Sequence, residues 1–412
     1  MKKAAFITIG CKLSFAESST WAREFAKAGY EIVTEKEAAD IYVVNTCSVT
    51  AVADKKGRNL IGRLHRLSPE ARIVVAGCQA QLRPELTGLP GVWAVVGSQY
   101  KHELLRIATA DHLDNNVFIE PIDKSKNFFP AYSSIGRTRA FLKVQDGCDY
   151  HCTYCTVPLA RGDSRNAPIA DVVAEAREIA AAGFKEVVIT GVNTGDFGKS
   201  THESFLDLLK ALNQVEGIER YRISSIEPNL LSDPIVDWIA SGTKYLPHFH
   251  IPLQSGSDRI LSAMHRRYST GFFRRKIEYI RSKMDNVFFG IDVIVGFPGE
   301  REEDFETTRR FLEEIRPAFI HIFPYSRRAG TPAALMPSQV SDEDKKRRVA
   351  ALEELCAFLN DEFYAANRGR LDEVLFESTV KDGKMHGYSR NYIKVERPYD
   401  PALVGQIVEV EL

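Results

Sequence analysis

The rhythm of apolar and polar positions divides the chain into three stretches. In the first, continuous apolar runs at Ala4 to Ile9, Ile41 to Thr46, Arg72 to Ala76 and Val92 to Val96 read as strands. Helical patterns separate them, the first from about Phe15 to Ala28 and closed by Gly29. Apolar strands spaced by helices predict a parallel sheet covered on both faces, here over residues 1–113. The pattern then dissolves around Pro121, Lys124-Ser125-Lys126 and Pro130, which predicts a linker at 114–133. Strand-like runs return at Ala140 to Val144, Glu186 to Thr190, Arg222 to Ser225, Phe249 to Leu253, Val287 to Val295 and Ala318 to Phe323. Six strands within 134–366 are too few for an eight-stranded barrel and predict an open, curved (βα)6 partial barrel. Short alternating runs in 367–412, broken by Asp382-Gly383 and by Pro398 to Pro401, predict about five strands in a small antiparallel β-barrel. The expected fold class is α/β with that small barrel appended.

Composition narrows the setting. The 412 residues are 44% hydrophobic and 26% charged, enough for two or three domains with proper cores. Seven cysteines, an odd number in a long chain, argue against a secreted disulfide scaffold. No apolar run approaches the roughly 18 residues of a membrane helix. The start at Met1-Lys2-Lys3 mimics a very short lipoprotein signal but reads better as the first strand, so a cytoplasmic enzyme is expected. The formal net charge of -1 gives no global pull on nucleic acid. Basic runs such as Lys55-Lys56, Arg266-Arg267 and Lys345 to Arg348 form an RNA footprint only if they share a face.

The chemistry lies in the cysteines. Cys148, Cys152 and Cys155 are spaced C-x3-C-x2-C, and Tyr154 sets an aromatic ring beside them. An iron–sulfur cube normally takes four thiolates, so three leave one iron open to another ligand. Zinc knots close at four ligands, and His151 could supply the fourth only from inside the loop. This spacing resembles the signature of radical S-adenosylmethionine (SAM) enzymes, in which SAM chelates the open iron of a 4Fe-4S cluster.

Cys11, Cys47 and Cys78 each follow a strand of the first stretch. The carboxyl ends of parallel strands share one edge, so these dispersed residues are expected to converge. Three there suggest a second cluster with an open iron, against the bland reading of small buried hydrophobes. Cys356 sits at core spacing with Leu352, Leu355 and Leu359 and reads as packing. Polar residues after the barrel strands form the expected ligand ring: Gly191, Asn193, Ser225, Glu227 and Gln254, joined by Tyr154. In the tail, Tyr388, Arg390, Tyr392 and Lys394 interleave aromatics with cations, as an RNA-gripping barrel does.

The order of these parts resembles the radical SAM methylthiotransferases over the whole chain. The resemblance rests on Gly10-Cys11-Lys12, Asn45-Thr46-Cys47, Ala76-Gly77-Cys78, the Cys148 to Cys155 loop, Pro158 through Arg161-Gly162 to Arg165, His250 to Ser257 and Asp292 to Glu300. It implies a C-terminal TRAM-like RNA-binding domain, two 4Fe-4S clusters and two SAM per turnover. One SAM yields a 5′-deoxyadenosyl radical that attacks an adenine C2, sulfur comes from the cluster on Cys11, Cys47 and Cys78, and the second SAM gives the methyl. Gly-Cys-Lys at the first cysteine looks like the branch that acts on N6-threonylcarbamoyladenosine in tRNA. Ser14, where that family usually has Asn, departs from the pattern. Implied partners are a tRNA anticodon stem-loop and a low-potential electron donor; no membrane is expected, and the sequence leaves the oligomeric state open, with a monomer the expectation. The alternatives are isopentenyladenosine or a ribosomal-protein side chain as substrate and, outside enzymology, an RNA-binding zinc protein.

Overall fold

The computed structural model describes residues 1–47, 51–122, 127–134 and 136–412, so the Lys124 to Lys126 part of the expected linker lies outside the described residues. The apolar runs near the start form β1 (Lys3–Thr8), β3 (Ile41–Thr46), β4 (Arg72–Gly77) and β5 (Val92–Val96). Two strands too short for any periodicity join them, β2 (Glu31–Val33) and β6 (Val117–Phe118). All pair in parallel in the order β2-β1-β3-β4-β5-β6. Helices α1 (Lys12–Lys27), α2 (Ala51–Leu67), α3 (Cys78–Leu82) and α4 (Leu104–Thr109) cover the sheet. Trp21, Phe25, Val43 and Val74 are buried on one face; Tyr42, Val44, Leu64 and Ile73 on the other. Connections leave β1 toward β2 on one side and β3 on the other, so the strand order reverses at β1. That switch point opens at the carboxyl edge, where Cys11 begins α1 and Cys47 follows β3.

The second stretch is a curved parallel sheet. β7 (Ala131–Tyr132) runs antiparallel on the edge of β8 (Ala140–Lys143), followed by β9 (Glu186–Thr190) and β10 (Arg220–Ile223). Single bridges at Tyr221–Tyr245 and Ser225–His250 carry the sheet into β11 (His248–Gln254), β12 (Phe288–Val295) and β13 (Phe319–Pro324). The six expected barrel strands are therefore present, and α5 (Val157–Arg161) closes the loop after β8. Packed under longer helices, Ile189, Leu208, Tyr221, Phe249, Phe289 and Ile291 share one core. Cys356 belongs to this core, where its sulfur accepts from the Ile320 amide at 3.2 Å.

The tail curls into an antiparallel half-barrel of four strands, not five: β14 (Leu371–Lys381), β15 (Lys384–Tyr388), β16 (Lys394–Pro398) and β17 (Ile407–Glu411), in the order β16-β15-β14-β17. Asp382-Gly383 turns the β14–β15 hairpin with both φ values positive, 51° and 71°. β14 is 11 residues long and runs unbroken from Leu371 to the Asp382-Gly383 turn. Among the described residues no helix is long and apolar enough to cross a membrane.

Candidate active site

The loop after β8 is held by its own backbone. Cys148 N–H donates to the Gly162 carbonyl at 2.9 Å, and Cys155 N–H to the Cys152 carbonyl at 3.0 Å. Gly147, at φ 72°, makes the turn; a Cβ there would sit 1.9 Å from the Asp163 carbonyl oxygen. Each sulfur receives a donor: the Tyr150 amide to Cys148 and the Val157 amide to Cys155, both at 3.4 Å, and an Arg266 N–H to Cys152 at 3.1 Å. These bonds favour thiolates. Burial works the other way and pushes the Cys148 and Cys155 thiols up to about 12. Clustered, donor-supplied sulfurs that lack only a compensating cation are what a metal cluster requires, and three could hold a cube with one open iron. His151 stands exposed beside buried Cys152.

The expected ligand ring surrounds this loop unevenly. Glu227 forms an ion pair with Arg266, whose other amine nitrogen reaches Cys152 and, at 3.4 Å, the Tyr154 hydroxyl. Thus Arg266 ties Glu227 and Tyr154 to the cysteine loop. Asn193 donates to Asp196 at 3.1 Å through its side chain and to Gln145 at 2.9 Å through its amide. Its Oδ1 is buried with no hydrogen-bond partner among the described residues, and so points to an absent donor. Gly191 packs against Gln145, where a Cβ would meet Oε1 at 2.9 Å. The Ser225 carbonyl accepts from the Thr194 hydroxyl at 3.0 Å. Gln254 ends β11 at φ 68°, a conformation that a non-glycine residue keeps only under tertiary constraint.

The second set of cysteines converges as expected from the strand ends. An ideal Cβ on Gly10 would lie 3.4 Å from the Cys47 Cβ, which places Cys47 beside the Gly10-Cys11 turn. Gly77, at φ 95°, brings the backbone so close to Asn45 and Thr46 that a Cβ would lie 2.4 Å from Asn45 Oδ1. That approach brings Cys78 to the end of β3, where Cys47 follows Thr46, and the fields of both Cys78 and Cys11 reach Arg161. Ser14 keeps its carbonyl on Asn45 Nδ2 at 2.9 Å, and its hydroxyl lies 3.7 Å from the Cys11 sulfur.

Arg161, at the end of α5, joins the two sets. Its Nε donates to the Cys78 sulfur at 3.1 Å, and Nη1 donates to Glu17 at 3.1 Å and to Asp146 at 2.8 Å. Lys101 and Lys143 each reach Glu17 at 2.8 Å, Lys143 reaches Asp146 at 2.7 Å, and Arg165 reaches Asp146 at 3.3 Å. Four cations face two carboxylates in a buried cluster, leaving positive charge beside Cys78 to compensate an anionic thiolate site. The cations overcome burial and hold the Glu17 and Asp146 carboxyls well below the usual range.

Between the strand-end cysteines, the barrel and the tail lies a cavity of about 670 Å³. Cys11 and Lys12 line one side; Tyr388, Tyr392 and Lys394 line the other. Tyr388 and Tyr392 stack at 4.7 Å and face Arg139 and Arg222. Arg390 is exposed, and its carbonyl accepts from Arg222 at 3.3 Å. Hence two of the four tail residues turn an aromatic face inward. His250 and His321 line the same cavity, and Asp292 stands behind them, with ligand atoms of the three within 4.8 Å of one another. His250 Nε2 and Asp292 Oδ1 meet at 2.6 Å as a hydrogen-bonded dyad, and burial, with the field of His250, pulls His321 down to about 4.

Comparison with known proteins accords with this arrangement. The sequence model of the radical SAM superfamily matches residues 142–312, and that of Uncharacterized protein family UPF0004 matches residues 3–96. Threonylcarbamoyladenosine tRNA methylthiotransferase MtaB of Bacillus subtilis is 37% identical over 100% of this chain and 94% of its own. The protein of the same name from Aquifex aeolicus is 37% identical over 99% of both chains. The chain belongs to the radical SAM tRNA methylthiotransferase family. It is therefore a sulfur-group transferase that uses 4Fe-4S clusters and SAM. A second branch of this methylthiotransferase family is also similar: tRNA-2-methylthio-N(6)-dimethylallyladenosine synthase of Alkaliphilus oremlandii is 33% identical over 100% of this chain and 90% of its own. Among solved structures, the radical SAM methyltransferase TsrM from Kitasatospora setae shares the fold, with a TM-score of 0.59, 15% identity and coverage of 81% of this chain and 77% of that one.

Two residues in this methylthiotransferase site were not singled out from sequence. Arg266 appeared only as part of a basic run, and Arg161 only inside a motif. Their sulfur contacts close across 114 and 83 residues, and a single sequence carries no signal for such pairs.

Proposed function

We propose that the protein converts N6-threonylcarbamoyladenosine beside the tRNA anticodon to its 2-methylthio derivative. One observation carries the choice of nucleoside: five cationic side chains and no carboxylate line the cavity that opens on Cys11. A threonylcarbamoyl group brings a carboxylate to such a wall, whereas a dimethylallyl group is apolar and offers it no charge. The greater identity to relatives named for threonylcarbamoyladenosine supports the same choice.

In this reading Cys148, Cys152 and Cys155 hold one cluster and Cys11, Cys47 and Cys78 the other. When bound and reduced, the first supplies the electron that splits SAM into methionine and a 5′-deoxyadenosyl radical. The protein's own groups do the positioning. Tyr154, Gly191, Asn193, Ser225, Glu227 and Gln254 form the SAM ring, Arg266 fixes Glu227 against Cys152, and Arg161 holds the Cys78 sulfur. Tyr388, Arg390, Tyr392 and Lys394 meet the RNA, with the two tyrosines stacking near the base.

Nucleoside mass spectrometry of tRNA from a strain lacking the protein tests the assignment. The expected result is loss of the 2-methylthio form with accumulation of N6-threonylcarbamoyladenosine. Accumulation of the isopentenyl nucleoside instead overturns the choice of substrate, and unchanged tRNA overturns the function.

A further inference from the structure

The cations around the cavity are not equivalent. Arg139 is held by Glu377 at 2.7 Å and Arg222 by Glu186 at 3.1 Å, while Lys394 is engaged by Glu396 at 2.5 Å. Lys12 and Arg137 differ: among the described residues neither makes an ion pair with a carboxylate. Arg137 lies over the rings of Phe15 and Phe141, at 4.6 and 5.4 Å. Lys12 projects among Arg139, Arg222 and Tyr392, and Asp292, a carboxylate whose field reaches it, is already bonded to His250. Lys12 therefore carries an unmatched charge inside a cavity with aromatic walls.

Position gives that charge a use. Lys12 directly follows Cys11, and α1 starts at this point, so the ammonium and the Cys11 sulfur are fixed to one rigid turn. A base lying against Phe15 or Tyr392 would have its ring near Cys11 and its substituent near Lys12. We propose that Lys12, aided by Arg137, is the specificity-determining residue: its ammonium pairs with a carboxylate on the N6 substituent of the target adenosine. This rests on the reading above that the substrate is an N6-modified adenosine of tRNA. A backbone phosphate would satisfy the same charge, but a phosphate contact is indifferent to the substituent. A site built around an unmatched polar group rejects ligands that leave it unpaired, by as much as ~10⁴-fold when fully buried. Lys12 keeps access to solvent through the cavity, so the expected discrimination is smaller, about ten- to a hundredfold.

The test uses reconstituted full-length enzyme and three anticodon stem-loops. They carry N6-threonylcarbamoyladenosine, its methyl ester and the dimethylallyl nucleoside. Dissociation constants by fluorescence anisotropy, together with KM and kcat, are compared for wild type, Lys12→Met, Lys12→Arg and Arg137→Gln. Iron per chain is measured on each. The wild type is expected to favour the acid over the ester by at least about tenfold in Kd and KM. Lys12→Met should bring that ratio near one with the ester little changed, Lys12→Arg should restore most of it, and Arg137→Gln should lower it partway. The proposal is overturned if Lys12→Met keeps the acid-to-ester ratio. It is equally overturned if acid and ester weaken together, which marks a phosphate contact. Should Lys12→Met lose iron, the Arg137→Gln ratio and the wild-type acid-to-ester ratio decide. A wild type that prefers the dimethylallyl stem-loop refutes the substrate reading itself, a result distinct from the other two.

Discussion

Single positions at both cysteine sites show how tightly backbone geometry is specified. Gly147 and Gly77 stand next to the first cysteine of a loop and to the last of a triad, respectively, and both adopt positive φ against a neighbouring carbonyl or amide oxygen. The motif around them was legible because spacing and residue type are local properties. The reason for the glycines was not, since the obstructing Asp163 carbonyl is brought back by the α5 turn. Gly147→Ala is expected to displace the loop, lower stability by about 1–3 kcal/mol and release roughly half of the bound iron. Iron analysis and urea midpoints check this; a variant with full iron content would mean that the loop absorbs a methyl group without moving.

Elements were legible wherever burial imposes a period. Ile41 to Thr46 is apolar because β3 is covered on both faces, and the same cause made β4 and β5 visible. β2 and β6 escaped notice because three and two residues cannot display a repeat. In the tail, alternation revealed the strands but not their number. The convergence of Cys11, Cys47 and Cys78 followed from topology alone, since β1, β3 and β4 are adjacent. These loops hang on different sheets, so the two sites should load independently. Replacing Cys148, Cys152 and Cys155 by Ala should leave about four of about eight irons and abolish reductive SAM cleavage. Replacing Cys11, Cys47 and Cys78 instead should preserve 5′-deoxyadenosine formation without methylthio product. Normal product from the second variant would reduce the strand-end cysteines to packing.

At the scale of the whole molecule, buried charge joins the parts, and none of it was visible along the chain. Arg220 and Arg222 carry full charges on a strand, and both are buried against Glu186. Arg139 completes the group and continues to Glu377 of the tail, while Arg220 and Arg222 donate onward to the tail carbonyls of Glu373, Tyr388, Ser389 and Arg390. One carboxylate thus anchors the curved sheet to the half-barrel that walls the cavity. Burial opposes its ionisation, but the field of Arg222, Arg220 and Arg139 wins and holds the Glu186 carboxyl at about 2, below an ordinary 4.5. A depressed carboxylate stabilises the fold fully above about pH 4.5 and loses that contribution as pH falls through about 2. A shift of this size corresponds to about 3 kcal/mol, in line with the cost of breaking a buried ionic network. Glu186→Gln should therefore lower stability at pH 7 by about 3 kcal/mol and make the tail the first segment cut by protease. The gap between wild type and variant should be constant from pH 7 to pH 5, then narrow below about pH 4.5 as Glu186 takes up a proton in the unfolded chain while the folded chain keeps it ionised. Urea midpoints at pH 7, 5 and 3.5 read this directly. A gap that stays the same at all three, or a tail no more sensitive to protease than in wild type, would show that Glu186 packs as a neutral group and that the half-barrel is held by its apolar contacts.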